Sequence, residues 1–160
     1  MENLRYVTFD KEGNITGIYS APREGAIKLP LKYTRYSNVI DALKAYKEQL
    51  VKDTVQSLVD QIKGKYAQFE VESFLDQREE WRRWVADKNA PTPYVDALAA
   101  ARGISKEELM KRIEKKVTAL ATLQGKQQAL IDKIEAATTI EELEAIDEEL
   151  RKLTQIVNNV

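Results

Sequence analysis

The stretch Asp87-Lys-Asn-Ala-Pro-Thr-Pro-Tyr-Val-Asp-Ala-Leu-Ala-Ala-Ala-Arg-Gly103 separates two helical parts of the chain. Pro91 and Pro93 each lack an N–H and disfavour helical geometry in the preceding residue, so no continuous helix crosses this stretch. Thr92 is predicted to cap a new helix that contains Pro93 in its first turn. Gly103 suits the position just after a helix. The sequence therefore predicts a short helix that is closed at both ends.

A long helix is predicted directly after Gly103. Ser105 and Glu108 form a capping box at its start. Behind this box, residues recur at alternating spacings of three and four, as in the seam of a coiled coil. The predicted seam consists of Met110, Ile113, Val117, Leu120, Gln124, Gln127, Ile131 and Ile134.

A second, shorter helix is predicted to begin at the capping box of Thr139 and Glu142. Residues 105–136 carry more basic than acidic groups and residues 137–160 the reverse, which favours antiparallel pairing. The shorter helix leaves part of the seam uncovered. Either the preceding helices fold back onto it or a second copy of the chain does. Self-association is the preferred interpretation, with the two seam glutamines as a polar layer that fixes the register.

The chain before this region begins with β structure. Residues 4–9 and 15–20 alternate as two strands of a hairpin, with a third strand expected around 26–29. Ser37 is predicted to cap a helix that ends near Lys63, and Ser73 a further helix. The predicted fold class is mainly α with a small N-terminal β unit and a C-terminal antiparallel, coiled-coil-like helical hairpin. The predicted regions are 1–36, 37–104 and 105–160.

Composition excludes several kinds of chemistry. The 160 residues include no cysteine and no histidine, which rules out disulfides, thiolate nucleophiles, histidine bases and Cys/His zinc sites. The formal net charge of −1 predicts neither a nucleic acid nor a membrane surface as partner. The residues at the start do not form a secretory signal. No cofactor, metal site or catalytic residue is predicted.

Three motifs have a chemical and a structural interpretation. Asp10, Glu12 and Asn14 alternate as in a calcium loop, but the rest of that motif is missing and a turn is favoured. Asp76 and Glu80 lie near two tryptophans, as in a carboxylate glycosidase, but their spacing favours a solvated helix face. Arginines interleave with tryptophans over residues 77–84, where core tryptophans with surface arginines are favoured over nucleic-acid binding.

Larger segments resemble a known family. These segments are Phe69-Glu-Val-Glu-Ser-Phe-Leu-Asp-Gln-Arg-Glu-Glu-Trp-Arg-Arg-Trp-Val-Ala-Asp87, Ala90-Pro-Thr-Pro-Tyr-Val-Asp-Ala-Leu-Ala-Ala-Ala-Arg-Gly-Ile104, Val7-Thr-Phe-Asp-Lys-Glu-Gly-Asn-Ile-Thr-Gly-Ile-Tyr-Ser20 and Gln124-Gly-Lys-Gln-Gln-Ala-Leu-Ile-Asp-Lys133. They are similar to the tail-fibre assembly proteins of phages and prophages. The resemblance implies a non-enzymatic accessory protein that binds the fibre chain in the host cytoplasm during assembly. Some family members stay on the finished fibre, so the virion is a second implied location.

The N-terminal unit is the predicted fibre-binding surface, because strand edges can add to another chain's sheet. Its proposed contact residues are Tyr6, Phe9, Ile18 and Tyr19. In the alternative interpretation these side chains cover the helix of residues 37–63. Two other functions stay open: a structural virion component attached through the coiled coil, and a carboxylate glycosidase that acts on the host surface.

Overall fold

The computed structural model describes residues 3–160; Met1 and Glu2, at the start of the predicted N-terminal unit, lie outside the described residues. Three strands precede a series of helices, which confirms the predicted fold class. The strands are β1 (Leu4–Phe9), β2 (Ile15–Tyr19) and β3 (Ile27–Pro30). The helices are α1 (Val39–Lys63), α2 (Gln68–Glu72), α3 (Phe74–Ala86), α4 (Pro93–Arg102), α5 (Lys106–Ala136), α6 (Ile140–Glu144), α7 (Ile146–Lys152) and α8 (Thr154–Asn158).

The sheet is antiparallel with the strand order β2-β1-β3, so β1 is central and the other two strands form the edges. Val7 of β1 lies opposite Ile18 on one side and Ile27 on the other. Val7 and Leu29 are fully buried. Both the predicted hairpin and the predicted third strand are therefore present.

Asn38, and not the predicted Ser37, caps α1. The Asn38 side-chain oxygen accepts a hydrogen bond from the Ile40 N–H at 2.8 Å. Asn38 also forms a bridge with Asn14, and the Ser37 carbonyl accepts the Ile15 N–H at 2.9 Å. Because these bonds tie the backbone before α1 to the start of β2, the N-cap position falls one residue later than predicted.

The chain divides into two compact units. Unit 1 contains the chain up to Thr54 together with Lys126–Arg151, and unit 2 contains Val55–Gly125 together with Lys152–Val160. In unit 1, α1 is joined to later helices by two lysines. Lys44 donates to the Glu135 carbonyl at 2.9 Å, and Lys47, whose side chain is buried, forms an ion pair with Asp147 at 2.9 Å.

The predicted second helix of the C-terminal hairpin is present as α6, α7 and α8, and is not continuous. The side-chain cap at Thr139 is confirmed, because its hydroxyl oxygen accepts the Glu142 N–H at 3.2 Å. The Glu142 carboxylate accepts a hydrogen bond from the Thr139 hydroxyl at 3.0 Å and not from the Thr139 N–H, so the predicted box is only half formed. Ala145 and Leu153 separate the three segments and keep right-handed helical dihedral angles. The Leu153 carbonyl accepts the Ile156 N–H, a tighter i to i+3 bond that interrupts the α pattern.

In unit 2, α4 is capped by a carboxylate from α3. Pro93 is the first residue of α4 and has no N–H, so Tyr94 and Val95 provide the first free donors. The Glu80 carboxylate accepts the Tyr94 N–H at 2.7 Å and the Val95 N–H at 3.3 Å. Glu80 is only 3% exposed. The solvated face predicted for Asp76 and Glu80 is therefore wrong at Glu80, whereas Asp76 is exposed.

The predicted cap residues of unit 2 have mixed outcomes. Thr92 occupies the N-cap position of α4, but its hydroxyl donates to Asp96 and caps no backbone N–H. Ser73 is likewise not a side-chain cap of α3, because α2 immediately precedes it and the Ser73 hydroxyl donates to the Glu70 carbonyl. Gly103, with φ of 71°, ends α4 as predicted. The Ser105 hydroxyl accepts the Glu108 N–H at 3.1 Å, also as predicted.

The buried face of α5 is rotated relative to the predicted seam. Its buried residues are Leu109, Met110, Ile113, Lys116, Ala119, Leu123, Leu130 and Ile134. The predicted seam residues Val117, Leu120, Gln127 and Ile131 are half-buried, and Gln124 is exposed. Leu109, Lys116, Leu123 and Leu130 recur every seven residues, so the buried stripe keeps the heptad spacing of the predicted seam but is displaced from it around the helix.

The helices before Gly103 fold back onto the start of α5. Met110 and Ile113 form one core cluster with Val95 and Ala99 of α4 and with Leu109. Trp81, Trp84, Leu98, Ile104 and Val117 pack around this cluster. Of the two arrangements that the sequence left open for this part of the seam, the structure contains the fold-back. Its apolar residues need no second copy of the chain for their burial.

Glu80→Ala is expected to lower the free energy of unfolding by about 2–3 kcal/mol, because two buried N–H groups of α4 lose their acceptor. Glu79→Ala, at the exposed neighbouring position, should change it by less than about 0.5 kcal/mol. Urea denaturation of both variants measures the difference. Equal stability of the two variants would show that the Glu80 cap is unimportant.

Two glycines provide a matched test of helix geometry. Gly103→Ala should destabilise the protein by about 1 kcal/mol, because φ is positive at this position. Gly125→Ala should stabilise it by about 0.5–1 kcal/mol, because Gly125 lies inside α5 and an added Cβ would meet open space. Thermal unfolding followed by circular dichroism should shift in opposite directions. A shift in the same direction would contradict the assignment of one of these positions.

Candidate functional site

The four predicted fibre-binding residues do not share one face of the sheet. Tyr6 lies opposite Tyr19, whereas Ile18 lies opposite Val7, so the tyrosines and Ile18 point to opposite faces. Ile18 is 46% exposed, and Tyr6, Tyr19 and Phe9 are half-buried. The structure thus places Ile18 as an exposed apolar side chain on an edge strand and groups the two tyrosines separately.

The tyrosine face of the sheet combines aromatic rings with cations. The Arg23 guanidinium lies 4.0 Å from the centre of the Tyr19 ring, and the Lys28 ammonium 5.6 Å from that of Tyr6. Tyr19 covers Gly17 so closely that an added Cβ would overlap the ring. These contacts hold the rings against the sheet and leave polar groups around them.

A second candidate site is a cleft of about 640 Å³ in unit 2, which we call the basic cleft. Its cationic side chains are Lys65, Arg102, Arg112, Lys115 and Lys116, and the carboxylate among its lining residues is Glu70. Tyr66, Phe69 and Tyr94 add aromatic surface. Such a local excess of positive charge contrasts with the formal net charge of −1 for the whole chain.

Lys116 is the buried member of the basic cleft, with 9% of its surface exposed. Its ammonium lies 4.3 Å from the centre of the Phe74 ring and 4.8 Å from that of Tyr66. It donates one long hydrogen bond, of 3.4 Å, to the side chain of buried Gln77. Within residues 3–160 the structure shows no ion pair between Lys116 and a carboxylate. Burial lowers the pKa of Lys116 below its ordinary value of 10.5.

The remaining cations of the basic cleft differ in whether they form hydrogen bonds or ion pairs within the protein. Lys65 donates to the carbonyls of Val157 and Val160, and Arg112 pairs with Glu108. The structure shows no hydrogen bond or ion pair for the side chains of Arg102 and Lys115 to other described residues. Two exposed cations and one buried cation in this cleft therefore have no anionic partner.

The basic cleft was not predicted from the sequence. One signal was available, because Lys116 falls three residues after Ile113 and seven after Leu109, on the apolar stripe of α5. A lysine on such a stripe is uncommon in a core, since burying an ammonium without a partner is costly. Arg112 and Lys115 share α5 with Lys116, whereas Arg102 comes from α4 and Lys65 from the turn after α1. No spacing in the sequence joins these three parts of the chain.

The carboxylate motifs have structural roles. Both Glu80 oxygens accept backbone N–H groups, which occupies one member of the suggested glycosidase pair. The Asp10 carboxylate accepts the Asn14 and Glu12 N–H groups at 2.9 and 3.0 Å. The Asn14 N–H is the main cause that lowers the pKa of Asp10. Residues 10–14 form the predicted turn.

Residues 3–160 contain no group of three or more acidic side chains arranged to hold a metal ion. None of the helices in that range is long and apolar enough to cross a membrane. No family model, curated protein or solved structure matches the chain.

Lys116→Met removes the buried charge and keeps the apolar stem. The pKa of Lys116 is lower in the folded protein than in the unfolded chain. At pH values between these two pKa values the unfolded chain binds more protons, so the stability of the wild-type protein rises with pH there. The variant lacks this contribution. It should therefore be as stable as wild type or more so at pH 7, and its advantage should shrink as pH rises toward 10.5.

Urea denaturation between pH 7 and 10.5 measures this difference, with Lys111→Met at an exposed position of the same helix as control. A stability difference that stays constant with pH would contradict a lowered pKa at Lys116.

Proposed function

We propose that this protein is a non-enzymatic phage or prophage tail-fibre assembly chaperone, or a tail accessory protein, that binds the fibre chain through its N-terminal sheet. The resemblance of four sequence segments to that family supports the proposal. The structural observation that carries it is the exposed apolar Ile18 on edge strand β2. The proposed place of action is the host cytoplasm during assembly.

The sheet offers a physical route to fibre binding. β2 and β3 are edge strands, and within residues 3–160 no further strand pairs with either. An edge strand presents backbone N–H and C=O groups to which an incoming strand can bond. Ile18 would add apolar contact on one face of the extended sheet, and Tyr6 and Tyr19 would add aromatic contact on the other.

Point substitutions are a better test than deletion of the sheet. The Val39 N–H at the start of α1 donates to the Gly13 carbonyl at 2.7 Å, and buried Val7 lies in β1. Removing residues 1–30 would therefore disturb the cap of α1 along with the proposed surface. A charge at Ile18 changes an exposed side chain and leaves those bonds in place.

Co-expression with the tail-fibre chain proposed as partner should increase the yield of soluble trimeric fibre. Ile18→Lys should reduce this gain by about tenfold, because it removes apolar contact and places a charge on the edge strand. Val85→Lys, at a position on α3 that is 53% exposed, is the matched control and should retain the gain. Size-exclusion chromatography with light scattering measures the trimer.

Three results bear on the alternatives. Unchanged fibre yield with and without this protein would contradict a chaperone function. Co-purification with finished particles, without an effect on fibre yield, would favour a structural virion component. An equal loss of yield in both lysine variants would contradict the assignment of the surface to β2.

A further inference from the structure

We propose that the basic cleft of unit 2 is a binding site for a small phosphate ester that carries an aromatic ring. This site is separate from the proposed fibre-binding sheet and does not depend on the function proposed above. Its residues come from the segments around α2, α3, α4 and α5, which the folding of unit 2 brings around one cleft.

The charge of the cleft selects an anion with more than one negative charge. Five cationic side chains and one side-chain carboxylate line it, and the side chains of Arg102 and Lys115 make no hydrogen bond or ion pair with the described residues. A monocarboxylate would neutralise one of these cations, whereas a phosphate monoester carries about −1.5 to −2 charges at pH 7 and three acceptor oxygens. The planar guanidinium of Arg102 can donate two parallel hydrogen bonds to such a group.

Lys116 indicates that the cleft is adapted to a ligand. An ammonium that is nine-tenths buried without a carboxylate partner is unfavourable for folding. Glu70 and Arg102 are the charged groups that act on it most strongly, and both line the same cleft. Glu70 forms no ion pair with Lys116 among the described residues, and a phosphate in the cleft would supply a negative charge that can bind the ammonium directly.

The aromatic residues provide the second half of the recognition. Phe69 is 71% exposed and Tyr94 is also exposed, although large aromatic side chains are usually covered. Both line the basic cleft together with half-buried Tyr66. A flat ring attached to the phosphate can stack on such a side chain. The volume of about 640 Å³ is in the usual range for sites of small organic ligands.

Isothermal titration of the intact protein with AMP at low ionic strength tests the site. AMP should bind, and adenosine, inorganic phosphate and citrate should each bind at least about tenfold more weakly. Lys116→Met and Arg102→Gln should each weaken AMP binding by about tenfold or more, whereas Lys111→Gln, an exposed lysine of α5 outside the cleft, should not.

A second readout separates binding at the cleft from general attraction. In NMR titrations of the lysine side chains, AMP should raise the pKa of Lys116 toward its ordinary value, and adding AMP should leave the side-chain signal of Lys111 unshifted. Absence of AMP binding, or binding that survives both cleft substitutions, would overturn the proposal. Equal binding of AMP and inorganic phosphate would contradict recognition of an aromatic ring by the cleft. Tighter binding of citrate than of AMP would contradict its preference for a phosphate group.

Discussion

A buried carboxylate determines the arrangement of unit 2. α4 has ten residues, which is too short for a helix to be stable alone in water, and its first residue is a proline. Its first free N–H groups are satisfied by Glu80 of α3, so the start of α4 is fixed against another helix and not against solvent. This contact brings Val95 and Ala99 into position to cover Leu109 and Met110 of α5.

Lys116, a second buried charge of unit 2, contrasts with Glu80 because it has few hydrogen-bond partners. Glu80 is satisfied by two backbone N–H groups, whereas Lys116 has one long hydrogen bond to Gln77 and the faces of two aromatic rings. The first arrangement stabilises the fold and the second reduces its stability. Proteins commonly retain such unfavourable groups where a ligand requires them, which gives the basic cleft a functional interpretation.

The N-terminal sheet depends on a different constraint, since a sheet of three short strands needs its apolar face covered by other elements. It is joined to α1 through the Asn14–Asn38 bridge and through the Gly13 carbonyl, which accepts the Val39 N–H. Gly13 has a φ of 87°, a conformation that glycine adopts without strain. The sheet is thus held from one end, while β2 keeps an exposed apolar side chain.

Local patterns in the sequence determined the elements of this protein. The alternation in β1 and β2, Pro91 and Pro93 at the start of α4, Gly103 at its end and the caps at Ser105 and Thr139 are each visible within a few neighbouring residues, so they could be predicted. The basic cleft and the capping role of Glu80 could not, because Glu80 contacts residues fourteen and fifteen positions away and the cleft joins four helical segments. The rotation of the α5 face also required the structure, since Leu109 and Met110 begin equally good apolar stripes. Packing of α4 and the two tryptophans against α5 determines which of the two stripes is buried. Burial depends on the neighbouring elements in the folded structure and not only on spacing along one helix.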